Sequence, residues 1–209
     1  MTVVGAARRK LESPDRLVVF SDAVLAIAIT LLAIELPVPD RGSRHLFLSS
    51  LNHDRDQYLA FIVSFWVVAL AWRGHHRLLA LVTRIDGRFE MLNFSWLLTI
   101  VLLPFAAKLL TLPGDPGRFV HACCFGFYAL LEAAAYAVAL VMVRHATATG
   151  AVEPDCEEEI AALEHKCIGT SVGFALSIPL FFVVSYGWVL WILAPNVIPR
   201  VAARVRLRG

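Results

Sequence analysis

The sequence predicts an all-α, polytopic membrane protein, and three observations predict it. Of its 209 residues, 58% are hydrophobic and 17% charged, whereas a soluble domain is roughly half apolar and about a quarter charged. The charges fall between long apolar runs, and the mean hydropathy is +0.68. The runs match the roughly 20 residues a helix needs to cross a bilayer core. They lack the alternating segments of about ten residues that mark a membrane β-barrel.

The first span covers residues 17–36, closed by Pro37. A proline cannot continue a helix and disfavours helix in the residue before it. The run is too long for a signal peptide and is followed by Pro37 and Pro39, so it is read as a retained span. A polar loop follows, with one short amphipathic turn expected at Leu46 to Leu51. The second span covers 58–81 and ends in the basic stretch "AWRGHHRLLALVTRIDGR". The third covers 89–112 and stops at "PGDPG", a strong turn signal. The fourth covers 119–143.

A soluble stretch then carries an acidic run after Pro154. Carboxylates favour a helix N-terminus, where the dipole is positive. One helix is expected to start there and continue into the fifth span, 160–184. Ser185 to Gly187 can make a tight turn into a sixth span, 187–205, anchored by Trp188 and Trp191. Charge placement supports six spans in one domain over 1–209. The N-terminal "RRK", the loop with Arg73, Arg77, Arg84 and Arg88, and the tail with Arg200, Arg204, Arg206 and Arg208 then share one side. Basic segments stay in the cytoplasm. The expected location is the cell membrane, multi-pass, with both termini cytoplasmic.

The net charge of +2 implies no nucleic-acid partner. Cys123, Cys124, Cys156 and Cys167 have no zinc-site spacing and read as inert thiols. No HExxH or GxSxG occurs, and His75 and His76 lack a third ligand at a suitable spacing, so no enzyme, metal site or cofactor is expected.

The first span is unusual in its polar content. At about 100° per residue, Arg16, Phe20, Ala23, Ile27, Thr30, Leu31 and Ile34 fall on one stripe, with Ser21 and Asp22 well away from it. A carboxylate is costly in lipid and must find a protein partner. Trp72, His75, His76 and Asn93 are expected at a similar depth. These groups fit a lock between helices as well as a functional site. Thr30 fits either a group on the ion path or a hydroxyl bonded back to Ala26 one turn earlier.

The spacing Arg16, three residues, then Phe20-Ser21-Asp22 resembles the signature of the transmembrane protein 175 family of potassium channels, in its single-repeat prokaryotic form. "AVLAIAITLLAIEL" is similar to that family's first helix. "WRGHHRLL" resembles its tryptophan-plus-histidine pattern late in the second helix. "LNFSWLLTIVLLPF" resembles its third, with Asn93 early and Pro104-Phe105 late. The resemblance covers residues 16 to 105.

It implies a homotetramer with a central pore lined by the first helix of each subunit, conducting potassium with modest preference over sodium. Ile27, Leu31 and Ile34 match the hydrophobic constriction, and Thr30 the threonine layer tied to selectivity. Arg16, Phe20, Ser21 and Asp22 match the signature that braces the first helix, with Trp72, His75 or His76, and Asn93 as partners. No "TVGYG" loop occurs, so a backbone-carbonyl filter is not expected. The alternative function is a proton channel or secondary transporter using Asp22 and the histidines of the second span.

Overall fold

The protein is described here by a computed structural model covering residues 14–111 and 117–183. Its described part is all-helical: α1 Pro14–Ile34, α2 Arg44–His53, α3 Arg55–Leu81, α4 Gly87–Leu110, α5 Gly117–Ala148 and α6 Glu157–Val183. Four of these, α1, α3, α4 and α5, are long and apolar enough to cross a membrane. The protein is thus an α-helical membrane protein. The predicted turn at 113–116 and the predicted sixth span, 187–205, lie outside the described residues.

Local chemistry sets the helix boundaries. Pro14 and Asp15 open α1, with fixed φ and a carboxylate suited to a helix start. The helix ends at Ile34, two residues short of the expected limit. Leu36, which precedes Pro37, retains only a shorter bond to Ala33.

The expected turn at Leu46 to Leu51 is a full ten-residue helix, α2. Ser43 caps it by accepting from the Leu46 N–H at 3.2 Å. Gly42 lies close before it: a Cβ there would sit 3.1 Å from Asp40 Oδ1 and 3.2 Å from Leu46 Cδ1, so those side chains would have to shift slightly. Tyr58 ties this loop to α3 by donating to the Pro37 carbonyl at 2.8 Å. No residue of α2 is buried.

The helix after the acidic run does continue as one element, with Glu157, Glu158 and Glu159 in its first turn. The fourth predicted span extends further than expected. At 1.5 Å per residue the 32 residues of α5 measure about 48 Å, well beyond a hydrocarbon core of about 30 Å.

Packing is densest where α5 meets α4 and α6. Ala129, Ala133, Ala135 and Ala139 of α5 are buried. Small side chains let backbones approach closely, which drives helix association in a solvent as apolar as the side chains themselves. Ile100 and Leu103 of α4 and Tyr128 and Met142 of α5 are fully buried there.

Two loops meet at one end of the bundle. Val82 and Val152 form an antiparallel bridge. The Thr83 N–H donates to Ala151 and the Glu153 N–H to Leu81, both at 2.9 Å. Arg84 donates to the Gly150 carbonyl at 3.1 Å. Asp86 caps α4 by accepting from the Phe89 N–H at 2.8 Å and pairs with His145 of α5 at 2.9 Å.

The capping bond from Phe89, helped by His145, holds the Asp86 carboxyl below its ordinary range. Such a group adds stability above the unfolded carboxylate range and loses it as pH falls through the lowered value. Asp86→Ala should therefore cost about 1 kcal/mol at neutral pH, the usual worth of a cap. Thermal unfolding in detergent should show the wild-type advantage shrinking at acid pH. An advantage that persists through strong acid would count against this assignment.

Candidate functional site

The first helix is divided into two faces. Ser21, Leu25, Ala28 and Leu32 are buried against α3 and α4. On the opposite side Phe20, Ile27, Leu31 and Ile34 are 48%, 59%, 41% and 76% exposed, and Arg16, Ala23 and Thr30 are exposed with them. The subunit core thus grips one stripe and leaves the other largely exposed among the described residues.

Polar bonds fix which stripe is gripped. The Asn93 Nδ2 donates to Ser21 Oγ at 3.1 Å, while Asn93 Oδ1 meets His75 Nε2 at 2.7 Å. Because Oδ1 accepts, the His75 proton sits on Nε2, and Nδ1 is left bare. Ser21 and Asn93 are 0% exposed and His75 is 2% exposed. His75 also stacks flat on Trp96, with ring centroids 3.8 Å apart. Buried polar groups must be paired, so three helices are held at one depth and one rotation.

A second set lies beside the first and is partly open to its surroundings. Trp72 Nε1 donates to Asp22 Oδ1 at 2.8 Å. His76 Nδ1 lies 3.9 Å from Asp22 Oδ2 and packs against the Trp72 ring. The four expected partners of Asp22 therefore separate: Trp72 and His76 serve Asp22, whereas His75 and Asn93 serve Ser21. The adjacent histidines have different roles because one helical step rotates them about 100° apart. Phe20 meets Phe94 edge to face at 5.9 Å. Among the described residues Arg16 has no hydrogen bond or ion pair.

Thr30 donates to the Ile27 carbonyl at 2.8 Å, three residues back, not to Ala26. This bond consumes the hydroxyl proton and leaves the oxygen lone pairs available on the exposed face. Cation coordination needs only those lone pairs.

At the other end of α1, Glu35 pairs with Lys108 at 2.6 Å. This ion pair and the His75–Trp96 stack went unrecognised in the sequence. Glu132 was also missed, although one carboxylate inside the apolar run "ALLEAAAYAV" is a visible signal. No group of three or more metal-ligating side chains occurs among the described residues.

Together these features define a class: an α-helical, multi-pass membrane protein with a first helix locked by buried polar bonds on one side and bare on the other. A family model described as the endosomal/lysosomal potassium channel TMEM175 matches residues 16–104, the segment that holds both polar sets. Over that segment the chain is similar to the TMEM175 family.

A protein from Streptomyces collinus named as a potassium channel is 29% identical over 177 residues, covering 83% of this chain and 84% of its own length. A rat protein named as the endosomal/lysosomal proton channel TMEM175 is 31% identical over 116 residues, covering 54% of this chain but 23% of its own. The crystal structure of a Chamaesiphon minutus homologue of the lysosomal potassium-selective channel TMEM175 superposes with a TM-score of 0.72. That match has 27% identity and covers 91% of this chain and 97% of the other.

Proposed function

We propose that this chain assembles as a homotetramer that conducts cations across the cell membrane, with potassium favoured modestly over sodium. The ion path runs along the bare stripe of α1. The observation that carries this reading is the split of α1 itself. Ile27, Thr30, Leu31 and Ile34 face away from the subunit that buries Ser21, Leu25, Ala28 and Leu32. Four such stripes around an axis give stacked rings of aliphatic side chains, and a narrow apolar constriction gates by excluding water and ions.

In this reading Arg16, Phe20, Ser21, Asp22, Trp72, His75, His76 and Asn93 set the rotation of α1 and take no direct part in conduction. The layer at Thr30 supplies the polar contact. With its proton given to Ile27, each hydroxyl oxygen can accept a cation in place of lost water.

Thr30→Ala tests this. Reversal potentials of the reconstituted protein under opposed potassium and sodium gradients should shift toward sodium, with the assembly still tetrameric. An unshifted reversal potential in a tetrameric mutant would sink the threonine layer. Native mass measurement yielding monomers alone would remove the pore altogether.

The partly open Asp22–Trp72–His76 set favours a second reading, in which a proton moves along ionisable groups inside the membrane. A related protein named as a proton channel lends it weight. A pH gradient alone separates the two: proton conduction shifts the reversal potential with pH and is removed by His76→Gln.

A further inference from the structure

Glu132 lies in the interior of α5 and is 0% exposed. Among the described residues neither of its side-chain oxygens has a hydrogen-bond partner. An isolated carboxylate cannot be left ionised in such surroundings, because losing hydration without a counter-charge costs far more than taking up a proton.

Among the described residues the neighbours supply no counter-charge. On its own helix, Tyr128 and Tyr136 stand four residues before and after it, on the same face, and are themselves buried. Tyr128 bonds to Ser64 of α3 at 3.2 Å. The inward residues of α4 are apolar apart from Asn93, which is already engaged. Cys167 of α6 is buried.

Thr170 of α6 is 3% exposed, and its hydroxyl also lacks a partner. Ser171 donates to the Ala133 carbonyl at 2.8 Å, so residues 170 and 132 occupy neighbouring levels on the two helices. Two buried polar side chains without a partner among the described residues therefore stand at neighbouring levels of the α5–α6 pair. Among the described residues Arg144 pairs with Glu164 at 3.8 Å, and Lys166 lines a crevice together with His75 and Tyr136.

We propose that Glu132 is a proton-binding site within the membrane, its carboxyl holding a proton at neutral pH and keeping α5 closed on α6. The site lies off the proposed ion path, and its proton is a ligand of the α5–α6 contact. Loss of that proton would place a bare charge between packed alanines, and the two helices would have to part to hydrate it. The proposal does not depend on the channel reading.

Infrared spectroscopy of the reconstituted protein tests it at neutral pH, using protein with 13C-labelled glutamate side chains. The wild type should show the carbonyl stretch of an undissociated carboxyl. That band should move with the label and vanish in Glu132→Gln. If Glu132→Gln does not fold, Glu132→Asp serves instead, since its carboxyl no longer responds to the glutamate label.

A spectrum with carboxylate bands alone would overturn the proposal. Thermal stability provides a second measurement. A neutral amide replaces a neutral acid, so Glu132→Gln should unfold at or above the wild-type temperature with assembly unchanged. A marked fall would mean an ionised carboxylate with a cationic partner in the assembly, and would also overturn it.

Discussion

Asn93→Leu is expected to destabilise the subunit by about 2 to 4 kcal/mol, because it strands two buried groups at once. His75 loses the acceptor for its Nε2 proton at 2.7 Å, and Ser21 loses the donor at 3.1 Å. Neither can turn to solvent: Ser21 is 0% and His75 2% exposed. Leucine has the same number and branching of side-chain heavy atoms as asparagine, so no cavity is created. Ser21→Ala should cost less, since it removes one bond and leaves His75 paired.

The measurement is thermal unfolding of the detergent-solubilised protein alongside its elution as an assembly. The ordering Asn93→Leu worse than Ser21→Ala is the specific claim. Equal stability of Asn93→Leu and wild type would show that the network does not hold α1 in place.

Ile27→Asn is expected to raise single-channel conductance several-fold while leaving subunit stability nearly unchanged. Ile27 is 59% exposed in the subunit and contributes nothing to the buried stripe of α1. In the proposed tetramer the substitution puts four amides into an apolar ring. A ring able to hydrogen-bond water no longer dewets, and the barrier to ions falls.

Leu31 and Ile34 lie further along the same face. Comparing Asn at each position locates the narrowest point. If Leu31→Asn raises the current and Ile27→Asn does not, the constriction sits one turn outward. If none of the three changes the current, α1 does not line the path.

Much of this was legible in the sequence. The apolar runs located α1, α3 and α4 to within three residues at each end, because helix length in a membrane is governed by its thickness, whereas α5 runs five residues past its predicted end. The one-turn register of α1 separated its bare and gripped stripes, because side chains recur every 3.6 residues whatever the helix packs against. Polar residues at equal depth in three spans, Ser21, Asp22, Trp72, His75, His76 and Asn93, announced a meeting point.

Tertiary structure alone decided who bonds to whom. The rotation of α3 about its own axis gives His75 to Asn93 and His76 to Asp22, and no periodicity within one helix fixes that phase relative to another. The bridge between Val82 and Val152 joins residues far apart in the chain, and no local pattern encodes such a pair. Thr30 bonds to Ile27 instead of Ala26, a choice of rotamer that helical spacing leaves open. Glu132 could be found in its apolar run. Its lack of a partner among the described residues depends on what α3, α4 and α6 bring to that level, which only their packing specifies.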